Sequence, residues 1–301
     1  MDLTPNSEQE ALLSATADWC HDNMPLEQAR SRHPALWNQL ADMGWLGMTA
    51  PGMDLDHATE ALVFAELGRH LAPVGMISSA VAARWSGHQG KTALALLDRD
   101  LTGGLLRVYD APGATHALGL VGGLAALTAL PSDLGGEPGL DLSAPLAHID
   151  PAPPFTALGD PRAALHLQLL SAAFATGVAD AARDMAAEYA KIREQFERPI
   201  GWFQALKHIC ADMAVRAAVA KSQLLYAACA LDAGDADAGF HVASAKHLAD
   251  QAAIDNGRAN IQVHGGIGMT DEAYPHLCLK RAHLLTFVAP PERAVILGEA
   301  A

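Results

Sequence analysis

The chain has 301 residues, of which 50% are hydrophobic, 18% charged and only 5% aromatic. Its net charge of −14 argues against a nucleic-acid surface, because neutralising phosphates requires clustered Lys and Arg. The four cysteines are scattered without a C-x-x-C pair, so we expect reduced thiols and no metal site. With neither a signal region nor a bilayer-length apolar run, the sequence predicts a cytoplasmic protein without a membrane segment.

The first part of the chain, residues 1–98, is predicted to be an N-terminal helical domain. Apolar residues recur there at helical spacing, and proline and glycine separate the segments. Leu36, Trp37, Leu40 and Met43 share one face, which we expect to be core. The helices are predicted at residues 8–22, 36–44, 56–71 and 75–87.

The composition changes at residues 99–157, which we predict to be a reduced β domain with two to five short strands. Prolines and glycines cluster here and bound short apolar runs. The Gly122-Gly123 pair between Val121 and Leu124 predicts a hairpin turn. It is not a dinucleotide-binding fingerprint, because no helix with the required spacing follows.

The remaining segment, residues 158–301, is predicted to be a C-terminal helical bundle domain. Long helices joined by short glycine-containing loops are typical of an antiparallel bundle. Lys246 and Asp250 form an i,i+4 pair within one of them. The helices are predicted at residues 161–192, 202–233, 238–263, 271–282 and 291–301.

A glycine-rich turn follows the third of these bundle helices. Gly265, Gly266 and Gly268 allow the backbone to approach a ligand closely, and Gln262 and His264 lie beside them. Such a junction can hold an anionic group on exposed N–H groups. The simpler interpretation is a glycine that ends a helix, with Thr-Asp-Glu starting the next one.

A second stretch, between the first two bundle helices, combines a cation, an aromatic ring and an amide. Arg193 is expected at a helix C-terminus, Phe196 follows three residues later, and Gln204 opens the next helix. The simpler interpretation is a loop whose cations complement a helix dipole. The functional interpretation is a site for a phosphorylated, ring-bearing ligand.

Together the two stretches, Arg-x-x-Phe with Pro-Ile-x-x-Phe-Gln and then Gln-x-x-Gly-Gly-x-Gly, resemble the acyl-CoA dehydrogenase family. Leu36-Trp37 and the Glu66-Leu-Gly-Arg69 segment resemble that family's opening helices. The resemblance implies a mainly α fold with an N-terminal helical domain, a middle β domain and a C-terminal four-helix bundle. It also implies assembly as a dimer of dimers with FAD.

This chain departs from the family pattern in its middle region. Family members carry a Thr-Glu-Pro-x-x-Gly-Ser-Asp loop and a Gly-x-Lys-x-Trp-Ile-Thr strand that hold flavin and acyl-CoA. Neither is present here, and the segment around Val108 resembles only the later strands of that domain. The resemblance therefore implies that this chain cannot hold a flavin ring by itself.

The family's catalytic base is also missing. Members use a Glu, usually in a Tyr-Glu-Gly-Thr turn, and here that turn contains Phe287 and Val288. A subset carries the Glu on the first bundle helix, at a position that falls near Leu167, where His166 and Gln168 are the neighbours. We therefore assign no catalytic residue. A core histidine is the simpler interpretation of His166, which is otherwise the one candidate base for an autonomous flavoenzyme.

In the family, these motifs contact the pyrophosphate and adenine of an FAD across the dimer interface. The resemblance therefore implies that this chain contributes half of a cofactor site to the adjacent subunit. The residues implied in this FAD contact, with Gln204 supporting the loop, are Arg193, Gln195, Phe196, Gln204, Gln262, Gly265 and Gly266.

The leading hypothesis is a base-less subunit of a heteromeric α2β2 acyl-CoA dehydrogenase, partnered by a full-length family member. The resemblance implies a bulky acyl-CoA substrate, including a steroid side chain, and an electron-transfer flavoprotein as acceptor. Two alternatives stay open: an autonomous flavoenzyme with an unusual base, and a non-enzymatic scaffold that has lost flavin.

Overall fold

The computed structural model describes residues 3–53, 55–97 and 104–297. These residues form N-terminal helices, a small sheet in the middle and a C-terminal helical bundle, which confirms the predicted fold class. None of the described helices is both long enough and apolar enough to cross a membrane.

Four α-helices precede the sheet in the part of the chain that the structure describes. The first starts with a capping box, in which the Asn6 side chain accepts from the Gln9 N–H and the Gln9 side chain accepts from the Asn6 N–H. All four agree with the predicted helices to within a few residues. They are α1 (Ser7–Asn23), α2 (Leu36–Asp42), α3 (His57–Arg69) and α4 (Gly75–Ser86).

The described strands form one six-stranded sheet and one two-stranded hairpin. The six strands are β1 (Thr92–Leu97), β2 (Leu106–Tyr109), β3 (His116–Val121), β4 (Leu124–Ala129), β5 (Leu146–Ile149) and β6 (Thr156–Ala157). Their order is β5-β2-β1-β3-β4-β6, and β1 and β3 are the parallel pair.

The predicted β region contains β2 to β6, so the upper expected number of strands is found there among the described residues. β1 starts earlier, at Thr92, inside a range predicted to be helical. The predicted domain boundary at 98/99 itself lies outside the described residues. Gly122 and Gly123, with φ of 57° and 81°, form the predicted hairpin turn between β3 and β4.

The bundle contains α5 (Arg162–Ile192), α6 (Gln204–Ala233), α7 (Ala238–His264) and α8 (Pro275–Leu285), followed by the short α9 (Arg293–Ile296). α5 is buried along most of its length and packs against α3, α6, α7 and α8. Its alanines and Gly177 allow this close approach, because a Cβ at Gly177 would collide with the carbonyl oxygen of Ala65 on α3.

Two details of the predicted bundle were wrong. α8 begins at Pro275 rather than at residue 271, because the Thr270 hydroxyl donates to the Ile267 carbonyl instead of capping a helix. Proline then occupies the first helical position, where its missing N–H costs nothing. α9 covers only Arg293–Ile296 of the predicted final helix, whose last residues, 298–301, lie outside the described part of the chain.

Arg281 of α8 connects three parts of the fold. It is fully buried, and it donates to the Asp141 carboxylate (2.5 Å), the Ser143 hydroxyl (2.9 Å) and the Ala72 carbonyl (2.6 Å). These acceptors lie after β4 in the sheet region and after α3, so one satisfied guanidinium holds the bundle, the sheet region and the N-terminal helices together.

Candidate functional site

Both predicted motifs lie at the same end of the bundle. Consecutive bundle helices joined by short loops run antiparallel, so α5 and α7 end on the same side, where α6 begins. Tyr189, one turn before the end of α5, stacks on His264, the last residue of α7, with ring centroids 4.0 Å apart. This stack joins the segment that carries Arg193 to the glycine turn.

A short hairpin, β7 (Glu194–Gln195) and β8 (Arg198–Pro199), follows α5. Its turn residues Phe196 and Glu197 have φ of 54° and 63°, although neither is glycine. Such left-handed residues cost on the order of 1 kcal/mol each and concentrate at functional sites. The turn holds Phe196 in solvent, 83% exposed.

The hairpin presents cations and aromatic rings at the surface. Arg193 caps α5 in an extended conformation, and its side chain is exposed. Gln195 is exposed as well, and its side-chain amide donates to the Glu194 carbonyl. Trp202 is 63% exposed, and the Arg198 guanidinium lies 5.1 Å from the centre of its ring.

The glycine turn is a 3₁₀ helix, Gly265–Met269. Gly265 has φ 69° and ψ −146°, a conformation that essentially requires glycine. Gly266 is different: a Cβ built on it meets no atom within 4 Å. The packing of this chain therefore does not explain glycine at position 266, whereas a ligand lying on the turn would. The remaining two predicted residues, Gln204 at the start of α6 and Gln262 near the end of α7, are exposed.

The two positions at which the sequence analysis expected a catalytic base, Val288 and Leu167, hold aliphatic side chains. Val288 is fully buried, and Leu167, the alternative base position on α5, is 1% exposed. Gln168 donates to the Ala289 carbonyl (2.9 Å), and Ser171 donates to the Val288 carbonyl (3.4 Å). The turn is therefore fixed against α5, and the side chains of Val288 and Leu167 cannot accept a proton.

His166, the remaining candidate base, lies inside a buried polar cluster. Its Nε2 is 2.7 Å from Glu60 Oε2, and His57 Nδ1 is 3.4 Å from the same oxygen. The Thr49 hydroxyl donates to Glu60 Oε1 at 3.2 Å. Burial opposes ionisation of Glu60, but the adjacent imidazoles of His166 and His57, which hydrogen-bond to its carboxylate, outweigh burial and lower its pKa to about 2. Burial lowers the pKa of His166, although the adjacent Glu60 carboxylate opposes this effect.

The ligand atoms of His57, Glu60 and His166 lie within 4.8 Å of one another, which is close enough to consider a metal. The Trp85 indole decides the question, because its N–H donates to His166 Nδ1 at 3.1 Å. A neutral imidazole that accepts at Nδ1 carries its proton on Nε2, facing Glu60. A metal ligand needs the opposite arrangement, with a lone pair facing the ion. The cluster therefore favours a hydrogen-bonded network.

We expect the Glu60→Gln variant to have a lower free energy of unfolding than the parent protein at neutral pH. This difference between the two proteins should shrink as the pH falls. The folded-state pKa of Glu60 is depressed from 4.5 to about 2, so its ionisation stabilises the fold fully above pH 4.5. That contribution, roughly 3 kcal/mol, should disappear as the pH falls through 2. Urea unfolding at pH 7, 5 and 3 measures it, with the exposed Glu188→Gln as control. A deficit that does not change with pH would contradict this assignment.

Comparison with known proteins identifies the family. The acyl-CoA dehydrogenase N-terminal domain model matches residues 6–88, and the C-terminal domain model matches residues 163–289. This chain belongs to the acyl-CoA dehydrogenase family.

Among curated relatives, acyl-CoA dehydrogenase FadE34 of Mycobacterium tuberculosis is 47% identical over 116 residues, which cover 37% of this chain and 16% of that protein. The chain thus matches only a small part of this relative. A chain of the ChsE4-ChsE5 complex from the same organism shares the fold, with TM-score 0.75, 21% identity, and coverage of 95% and 94% of the two chains. A steroid acyl-CoA dehydrogenase (ACAD), Tcur3481-Tcur3483, also shares the fold, with TM-score 0.76, 22% identity, and coverage of 97% of this chain and 96% of that chain.

The bundle end suits one part of the FAD that this acyl-CoA dehydrogenase family uses. Arg193 offers a planar set of N–H donors for a pyrophosphate, Phe196 an exposed ring for an adenine, and Gly266 unfilled space for close approach. All of these residues are exposed on this chain alone. The donor set therefore fits the adenosine diphosphate half of FAD, approached from outside.

Sequence reasoning missed several features of the site. The contacts of Gln168 and Ser171 with the turn at Val288 depend on how α5 meets the segment after α8, which no local pattern reveals. The sequence also gave no sign that Trp202 is exposed to solvent, since an aromatic residue between Gly and Phe is typical of a buried core position. The His57-x-x-Glu60 spacing on a predicted helix face was the one available signal for the buried cluster.

Proposed function

We propose that this chain is the base-less subunit of a heteromeric FAD-dependent acyl-CoA dehydrogenase. In the α2β2 assembly, a full-length family member supplies the catalytic Glu and the flavin-ring site. The observation that carries the proposal is Val288. A buried aliphatic side chain occupies the base position, in a turn that Gln168 and Ser171 fix in place. A chain built this way contributes to the reaction through a neighbour.

In this proposal, the residues of this chain bind and orient the pyrophosphate and adenine of FAD. Arg193, at the exposed end of α5, holds the pyrophosphate, and the strained turn at Phe196 offers its ring to the adenine. Gln195, Gln262 and Gly265–Gly266 line the approach, and Gln204 supports the loop. FAD, when bound, supplies the acceptor for the β-hydride, and the partner's Glu removes the α-proton.

We propose a bulky acyl-CoA, such as one with a steroid side chain, as the substrate. The support is similarity of fold: one structural neighbour is a steroid ACAD, and another comes from a two-component complex. A subunit without its own acyl site leaves more room for the substrate of its neighbour. The proposed electron acceptor is an electron-transfer flavoprotein.

Co-expression with a full-length acyl-CoA dehydrogenase of the same organism tests the proposal. We expect a yellow complex with one FAD per pair of unlike subunits, while the chain purified alone is colourless. A yellow homo-oligomer of this chain that oxidises an acyl-CoA would overturn it. A stable complex without flavin absorbance would indicate a scaffold instead.

Gly266→Ala should separate cofactor binding from folding. The isolated variant should melt within about 2 °C of the parent, because the added methyl group meets no atom of this chain and φ is not left-handed. In the complex, the same methyl group lies where the cofactor approaches, and FAD occupancy should fall severalfold. Gly239→Ala, at the other end of α7, is the matched control and should leave occupancy unchanged. Equal FAD content in both variants would remove Gly266 from the site.

A further inference from the structure

A residue from the N-terminal helices binds the segment that follows the glycine turn. Arg30, in the turn between α1 and α2, donates to Asp271 Oδ1 at 2.6 Å and lies 2.7 Å from His276 Nε2. Asp271 comes shortly after the last residue of the glycine turn, Met269, and His276 lies in the first turn of α8. One guanidinium therefore links the N-terminal helices to both ends of the segment that leads out of the glycine turn. We call Arg30, Asp271 and His276 the Arg30 clamp.

The contact with Arg30 fixes the protonation state of His276. A guanidinium can only donate hydrogen bonds, so Nε2 must accept, and the proton of the neutral imidazole lies on Nδ1. His276 is 4% exposed, and its Nδ1 is buried without a hydrogen bond to any described residue, the nearby Ala273 backbone included. An unsatisfied buried N–H costs free energy, which an apolar side chain would avoid. The hydrogen bond from Arg30 accounts for a histidine at this position.

The charged groups near the His276 ring oppose one another. Lys280, one turn later on α8, and Arg30 disfavour the imidazolium, whereas Asp271 favours it. Burial has the largest effect, and the balance lowers the pKa of His276 below its usual value of 6.5. His276 is therefore neutral at pH 7, where it can accept the hydrogen bond from Arg30.

Protonation of His276 would make this contact repulsive. An imidazolium carries an N–H on both nitrogens, so the Nε2–H would face the N–H groups of Arg30, and two cations would meet beside a buried ring. Asp271 Oδ1 lies 4.0 Å from the same nitrogen and could then pair with the imidazolium. The carboxylate would exchange one cation for the other, and the segment would lose its link to the N-terminal helices.

We propose that Arg30 positions the glycine turn for the cofactor, and that acidification opens the Arg30 clamp through His276. This inference rests on the proposed function, because Gly265 and Gly266 lie in the turn that ends just before Asp271. With the clamp open, the turn moves more freely and releases the adenosine diphosphate half of FAD faster. Asp271 is exposed, and exposed ion pairs contribute little, so the contact with buried His276 makes the larger contribution.

Hydrogen exchange of the isolated chain tests the clamp without partner or cofactor. At pH 7.5, we expect the amides of residues 265–274 to exchange about fivefold faster in Arg30→Met than in the parent. Corrected for the intrinsic pH dependence of exchange, the parent should approach the variant as the pH falls below 6.5. His276→Gln keeps an acceptor for Arg30 and does not titrate, so it should abolish this pH dependence. Arg258→Met, which removes an exposed pair with Asp255 on α7, is the matched control and should exchange like the parent.

The rate of FAD release from the heteromeric complex, followed by flavin fluorescence, tests the link to the cofactor. Arg30→Met should release FAD severalfold faster than the parent at pH 7.5, and acidification should accelerate release from the parent more than from His276→Gln.

Equal exchange of the 265–274 amides in Arg30→Met and the parent, or an unchanged pH dependence in His276→Gln, would overturn the clamp. Faster exchange with unchanged FAD release would overturn its link to the cofactor. A parent complex that contains no FAD would contradict the proposed function and, with it, this link, while the exchange result would still decide whether the clamp exists.

Discussion

His166→Leu is expected to lower the free energy of unfolding by about 3–5 kcal/mol, which is a large fraction of the stability of most domains. The leucine removes the 2.7 Å partner of the buried Glu60 carboxylate and the acceptor of the Trp85 indole N–H. A buried charge loses a charge-assisted hydrogen bond, and a buried donor is left unsatisfied. Both penalties add to any mismatch of shape.

His166→Gln is the matched control for this substitution. The amide can accept from Trp85 and donate to Glu60, so most of the stability should return. Urea unfolding at pH 7 measures the stability of both variants. The indole N–H signal of Trp85 in a ¹H–¹⁵N spectrum reports whether the hydrogen bond from Trp85 to residue 166 is kept. Equal stability of the leucine variant and the parent would mean that the cluster is not hydrogen-bonded as described. If His166 were instead the catalytic base of an autonomous enzyme, the glutamine variant would fold normally and lose turnover.

The fold was predictable because it depends on local patterns that the tertiary structure does not override. Alanine-rich apolar periodicity located α5, α6 and α7, and the Gly122-Gly123 pair located a hairpin. β1 was missed because its run of Ala and Leu at Thr92–Leu97 has no polar alternation, since most of the strand is buried. Short buried runs of this kind fit helix and strand equally well.

The candidate site was predictable in part. The motif residues were chosen by family resemblance, and α5 and α7 do end together, which fixes Arg193 and Gly265 at one end of the bundle. The left-handed turn at Phe196 and Glu197 could not be foreseen, because residues other than glycine rarely adopt that conformation. The buried link from Glu60 through His166 to Trp85 joins three helices, and no single segment of sequence encodes it.

Arg193→Ala is expected to lower FAD affinity of the heteromeric complex by about one to two orders of magnitude, as loss of a charge-assisted hydrogen bond does. In the proposed site, this guanidinium meets the pyrophosphate from the end of α5, although the flavin ring belongs to the partner. The isolated chain should keep its helix content and melting temperature, because the Arg193 side chain is exposed. The complex should melt at a lower temperature, since bound FAD stabilises only the assembled form.

Two further variants make the result specific to the guanidinium at this end of the bundle. Arg162→Ala removes an exposed arginine at the opposite end of α5, and it should leave FAD content unchanged. Arg193→Lys keeps the charge but loses the planar fork, so its affinity should lie between those of the parent and the alanine variant. Flavin absorbance per complex and the melting temperature measure all three. If the Arg193→Ala and parent complexes have equal FAD content and equal melting temperature, Arg193 has no role in FAD binding. It would then act only as a cation that complements the dipole of α5.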